Sequence, residues 1–265
     1  MNESYKLYLP KSKREIKLDI SLPKNREGIT FDTLYFLDGQ NAFSDSKAAF
    51  GRSIRATKAL NSTAKYLHKR ILGVAIHNSG TDLGRVNEYT PFYLTNEESL
   101  KYQTQNIETC HNFCDDFIST IIPFIETKYK TYKDPEHRFI YGSSLAANTA
   151  IYLAFKYKNS FNYIGAFSTA SFLFEEEFIS FIKDNKDTNK KIFLYVGEKE
   201  ESDAMYQRDT YLNSSKLLFD TFKSLGNRIR LSVDVNGLHN EETWGNHIKE
   251  FINFIYFDDD IIVRF

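Results

Sequence analysis

The 265-residue chain has only two cysteines, Cys110 and Cys114, too few for a disulfide framework. They stand four apart with His111 between them. No further ligands sit at metal-binding spacing, so two thiols on one helix face are expected, and no metal centre. An excess of one charge sign is also missing. Lys+Arg total 34 and Asp+Glu 35, a net charge of −1, which gives no global electrostatic footprint for nucleic acid. No stretch approaches the ~18 apolar residues that a membrane-spanning helix needs. The first residues lack the apolar core of a secretory signal, which predicts a cytoplasmic protein. No repeat, linker or low-complexity stretch interrupts the chain, so one domain over residues 1–265 is the simplest reading.

Hydrophobic residues make up 42% and charged residues 26%, which fits a globular chain and excludes disordered, collagen-like and coiled-coil classes. Aromatic residues reach 15%, from 23 Phe, 17 Tyr and a single Trp. That load predicts a core built from large flat side chains.

Period-two alternation at Tyr5, Leu7, Leu9 and then Ile16, Leu18, Ile20, Leu22 predicts an N-terminal antiparallel hairpin turning at Lys11–Arg14. Short apolar runs follow at Thr33–Leu37, Ile71–Ile76, Arg138–Tyr141, Tyr163–Phe167, Lys191–Val196 and Ile229–Val235. Continuous runs of this length suit strands buried on both faces. Helical patterns at Ile107–Tyr129, Leu145–Tyr157, Tyr206–Leu225 and Glu242–Phe257 alternate with them. The expected architecture is therefore α/β, a mostly parallel central sheet with helices on both faces. The apolar tail Ile261–Phe265 after Asp258-Asp259-Asp260 is expected to pack on the body or on a partner subunit.

The chemistry concentrates at Gly142-Ser143-Ser144-Leu145-Ala146, between a strand and a helix. G-x-S-x-small describes a sharp turn with serine at its apex, here Ser144. The plainer reading is a serine cap on a helix N-terminus. A serine hydroxyl needs a base, presented by a loop late in the chain. Of the six histidines, only His239 follows the last strand and precedes the last helix. The orienting acid belongs after Lys191–Val196, where Glu198, Glu200, Glu201 and Asp203 crowd one loop and leave the choice open. One oxyanion N–H is expected from Leu145, and the other from the loop Asp38-Gly39-Gln40-Asn41.

At these residues the chain resembles the esterase family of α/β-hydrolases, which includes siderophore esterases, S-formylglutathione hydrolase and feruloyl esterases. The resemblance runs from about Leu34 to Phe254 through several motifs in order. These are Leu37-Asp38-Gly39-Gln40-Asn41-Ala42-Phe43, Arg85-Val86-Asn87-Glu88-Tyr89-Thr90-Pro91, Ile122-Pro123-Phe124-Ile125, the serine turn, and Gly237-Leu238-His239-Asn240-Glu241 with Trp244. It implies the α/β-hydrolase fold, Ser144 as nucleophile, His239 as base, Glu200 as acid, and Gln40 with Leu145 as oxyanion donors. It implies a small-molecule ester as substrate, no cofactor, and no nucleic-acid or membrane partner. The chain departs from the family at Ala146-Ala147, where Gly-Gly is usual, and lacks the Pro often found near Lys156–Asn159.

The resulting expectation is a serine carboxylesterase. The alternatives are a siderophore trilactone esterase releasing iron in the cytoplasm and a non-catalytic scaffold on the same fold. Arg85 and Glu88 could bind a polar substrate, or form an i,i+3 pair that fixes their loop. Phe43, Tyr89, Phe92 and Phe172 could line an acyl or aryl pocket shaped by Asp45–Arg55, Asn78–Ser99 and Phe172–Asp187. Trp244 is expected to pack under the base loop. Neither the acyl and alcohol groups nor the oligomeric state is readable from the sequence.

Overall fold

A computed structural model of the chain describes residues 2–24, 27–49, 51–66, 68–94, 105–200, 209–257 and 262–264. Nine strands among them form one sheet in the order β1-β2-β4-β3-β5-β6-β7-β8-β9. The hairpin of β1 (Asn2–Leu9) and β2 (Arg14–Ser21) closes on the register Leu9 opposite Arg14. It joins β4 (Ile71–Ile76) antiparallel. The remaining neighbours run parallel: β3 (Asp32–Phe36), β5 (Arg138–Ser143), β6 (Tyr163–Phe167), β7 (Lys191–Gly197), β8 (Arg228–Asp234) and β9 (Ile262–Arg264). Every residue of β3, β4, β5 and β6 is buried, as apolar runs without alternation require. The tail thus contributes an edge strand to its own body, with Ile262 opposite Leu231.

Helices cover both faces. On one lie α2 (Asp82–Tyr89), α3 (Ile107–Asp116), α4 (Ile122–Lys128), α5 (Leu145–Lys156), α6 (Glu175–Asp184) and α7 (Thr210–Ser224). On the other lie α1 (Ala56–Tyr66) and α8 (Glu241–Tyr256). Alternation along β3 divides the two layers: Tyr35 packs with the first set, Leu34 and Phe36 with the second.

Three differences from the sequence reading have physical causes. The helix expected over Ile107–Tyr129 contains a π-helical turn at Phe117–Ile121, between α3 and α4. Its buried residues Phe113, Phe117, Ile121 and Ile125 recur every four positions. A 3.6-residue helix would rotate that row off the core, and a wider turn takes up the drift. Pro123 follows directly, with no N–H to continue the original register. The segments expected as pocket loops, Asn78–Ser99 and Phe172–Asp187, carry α2 and α6. Both helices are short, 8 and 10 residues, so their apolar faces span too few turns to stand out from a loop. Helix α1 likewise lies where no helix was predicted.

Most of the aromatic load is core. Tyr35, Phe117 and Phe161 contact one another edge-on at 5.4–5.8 Å, and all three are buried. Truncating Phe161 to Ala should cost about 3–5 kcal/mol in urea unfolding. A loss below about 1 kcal/mol would mean this cluster is not a unit of the core.

Candidate active site

Parallel register brings the carboxyl ends of β3, β5, β6, β7 and β8 to one edge, where ligands of open α/β sheets bind. At the end of β5 the chain reverses into α5. Ser144 takes φ 58, ψ −128, a region that L-residues rarely occupy. Its N–H donates to the Phe167 carbonyl at 2.8 Å, and its carbonyl accepts the Ala147 N–H at 3.0 Å. A Cβ on Gly142 would overlap the Ala146 carbonyl, so the turn needs glycine there. Ala146 and Ala147, the departures from Gly-Gly, are fully buried beneath it.

The loops that carry Glu200 and His239 meet through two glycines. A side chain on Gly197 would collide with the Gly237 backbone, and one on Gly237 with the Tyr195 hydroxyl. This approach sets Glu200 beside His239, with Oε2 at 3.1 Å from Nδ1. Glu200 is 6% exposed, and its other oxygen accepts the Gly197 N–H at 2.7 Å and the Ser168 hydroxyl at 2.5 Å. Trp244 Nε1 donates to that same hydroxyl at 2.8 Å. The His239 ring lies between Tyr211, 4.3 Å between centroids, and the edge-on Trp244 at 4.9 Å. Of the four acids in the loop, Glu201 and Asp203 lie outside the described residues. The described contacts do not include a hydrogen bond from the Ser144 hydroxyl to His239. Such bonds often close only around substrate.

Two candidate oxyanion donors flank Ser144. Leu145 is the first residue of α5, so its N–H has no partner within the helix. After β3, Asp38 adopts a left-handed conformation (φ 51, ψ 46) and starts a 3₁₀ turn over Gly39–Asn41. The N–H groups of Asn41 and Ala42 bond inside that turn, to the Asp38 and Gly39 carbonyls at 2.9 and 3.1 Å. Gln40 lies between Asp38 and these two.

The residues considered for substrate binding sit differently from expectation. Arg85 does not pair with Glu88. Its Nε lies 3.0 and 3.1 Å from the two Asp38 carboxylate oxygens, and its Nη2 is 2.6 Å from Oδ2. Burial opposes the Arg85 charge, but Asp38 overrides it and raises the guanidinium pKa. Glu88, 1% exposed, pairs with Arg14 and accepts the Ser79 N–H at 3.0 Å. Burial pushes its carboxyl up to about 7, against the pull of Arg14. Tyr89 is fully buried, and its hydroxyl accepts the Asp38 N–H at 3.1 Å. Phe43 packs on Phe36 at 5.7 Å, and Phe92 on Tyr152 and three phenylalanines of the 171–184 segment. Phe172 is partly buried against Tyr211, whose ring also contacts His239. A separate cavity of about 320 Å³ lies between α1 and α8, lined by Arg52, Lys58, Glu242 and Lys249 among others, and includes no triad candidate.

Residues 10–253 match the model of the Esterase family, described as "Putative esterase". The chain belongs to this family. It is 21% identical over 256 residues to the uncharacterized protein YbbA of Bacillus subtilis, covering 95% of this chain and 90% of that one. The fold is similar to that of an IroE-like serine hydrolase from Shewanella oneidensis, with TM-score 0.78, 17% identity, and 96% and 79% of the two chains covered. It is also similar to the siderophore hydrolase EstA from Aspergillus nidulans, with TM-score 0.74, 14% identity, and 96% and 93% covered. Membership makes the chain an ester hydrolase on an α/β-hydrolase fold. Among the described residues no helix of this esterase is long and apolar enough to cross a membrane.

Sequence reasoning missed Ser168 as a partner of Glu200. Nothing distinguishes a serine after a strand from a loop residue until its positive φ of 50 is seen. Trp244 was expected beneath the base loop and lies there, but its indole N–H carries a further role.

Behind the His239 loop, His247 bonds Asp234 through Nε2 at 3.1 Å and Glu250 through Nδ1 at 2.7 Å, and its ring packs tilted against Tyr195 at 4.4 Å. Burial opposes the imidazolium, but the two carboxylates outweigh it and raise the His247 pKa above its usual value. A raised histidine pKa gives stability that is full below about pH 6.5 and lost as pH rises through the folded value. His247→Gln should therefore cost about 1–3 kcal/mol near pH 6 in chemical unfolding, and progressively less toward pH 9. A gap that widens with pH would contradict the charged imidazole.

Proposed function

We propose that the esterase is a serine carboxylesterase in which Ser144, His239 and Glu200 form the catalytic triad. The observation that carries this reading is the Glu200–His239 bond on two loops at the same carboxyl edge of the sheet as the strained Ser144 turn. Glu200 fixes the tautomer with the proton on Nδ1, which leaves Nε2 as the base. His239 takes the Ser144 proton as Oγ attacks the ester carbonyl. The tetrahedral oxyanion lies between the N–H groups of Leu145 and Gln40. His239 then protonates the departing alcohol. A water, deprotonated by His239, attacks the acyl-enzyme and releases the carboxylic acid and free Ser144.

A small-molecule ester is the substrate class. Siderophore trilactones are one candidate within it, since the siderophore hydrolase EstA shares this fold over 96% of the chain, and aryl esters are the other, since a ferulic acid esterase does so as well. On the siderophore reading the chain is one domain acting in the cytoplasm, where imported iron chelates are opened.

Ser144→Ala and His239→Ala should each lower kcat on short p-nitrophenyl esters by at least about 10⁴-fold. Undiminished turnover in either variant would overturn the triad. Iron release from a trilactone chelate, with weak turnover of simple esters, would support the siderophore reading, and the reverse preference would contradict it.

A further inference from the structure

An aspartate that opens a helical turn ordinarily accepts the N–H groups of that turn with its own carboxylate. Asp38 does not: its side chain makes no bond to the 3₁₀ turn it starts. The carboxylate is turned instead toward Arg85, which grips both oxygens, and toward Asn78, whose Nδ2 donates to Oδ1 at 2.7 Å. Asp38 is 7% exposed, so its carboxylate would be costly to leave unpaired, while Arg85 is half-buried. Tyr89, one turn after Arg85 on α2, also holds Asp38: its hydroxyl accepts the Asp38 N–H. At the other end of the turn, Asn41 donates from Nδ2 to Glu241 at 2.8 Å and accepts the Ala49 N–H at 2.9 Å. The turn is thus tied at both ends, and Gln40 lies between the ties.

We propose that Arg85 is a positioning residue of the oxyanion hole: by drawing the Asp38 carboxylate away, it keeps the Gln40 N–H free for the reacting carbonyl. This rests on the serine-esterase reading. Without Arg85, the carboxylate keeps only the Asn78 bond, and its other oxygen competes for the turn's own N–H groups and places a negative charge beside the developing oxyanion. Arg85 then acts on the chemical step and not on substrate binding, so its loss lowers kcat and leaves KM nearly unchanged.

The test is steady-state kinetics on an uncharged short p-nitrophenyl ester with Arg85→Ala, Arg85→Gln and the double variant Arg85→Ala/Asp38→Asn. Thermal melting of each variant shows that it is folded, and Arg85→Gln carries the test if Arg85→Ala does not fold. The single variants should lose on the order of 10²-fold in kcat with KM within about threefold. Removing the stranded charge in the double variant should recover about tenfold of that loss. A purely structural role for Arg85 would not give that rescue. Wild-type kcat in the single variants, a rise in KM alone, or a double variant no better than Arg85→Ala would each overturn the inference. If Ser144→Ala retains full turnover, the serine reading fails and this inference with it. If activity depends on Ser144 but not on Arg85, only this inference fails.

Discussion

The close passage of α5 under the end of β5 is the constraint on which the rest of the site depends. Ser144 can occupy φ 58 only because Gly142 has no side chain to strike the Ala146 carbonyl. Such a conformation costs about 1–3 kcal/mol and persists only where the surroundings over-determine it. Here the strain is offset by the buried first turns of α5, the Ser144–Phe167 bond and the sheet register on both sides. The strained apex places a hydroxyl and a helix N-terminus at the same point, which a relaxed strand-to-helix link would separate.

Around that apex the same device recurs. Gly197 and Gly237 let two loops touch backbone to backbone, and Gly39 lets the 3₁₀ turn press on β4 at Ile76. Close contact then decides which polar groups are buried, and each buried group recruits a partner. Glu200 gathers Gly197, Ser168 and His239; Asp38 gathers Arg85, Asn78 and Tyr89. Both carboxylates are held from behind, one next to His239 and one at the start of the Gly39–Asn41 turn.

Much of this was legible in the residues. Buried parallel strands announce themselves as unbroken apolar runs, and the hairpin by its alternation. Ser144 and His239 stand out because strand-to-turn geometry needs small neighbours and chain order limits the base. Glu200 was not separable from its acidic neighbours by composition. Its burial and its bonds to Gly197 and Ser168 set it apart from the half-buried Glu198. The Arg85–Asp38 pair spans 47 positions and follows from where α2 lands, which local spacing does not encode. The i,i+3 rule pointed to Glu88, whose carboxylate is taken by Arg14 across the sheet edge. Tyr89 and Phe92 read as pocket rings because aromatic content does not reveal direction. Tertiary packing turned both inward.

The central claim is that a strained turn and a Glu-held histidine together make one serine nucleophilic. Fluorophosphonate labelling of the folded wild-type chain, followed by peptide mass mapping, addresses it most directly. The account predicts one stoichiometric adduct, on Ser144, formed far more slowly when His239 is replaced by Ala. Failure of the folded protein to label, or an adduct on Ser143 or another serine, would contradict it.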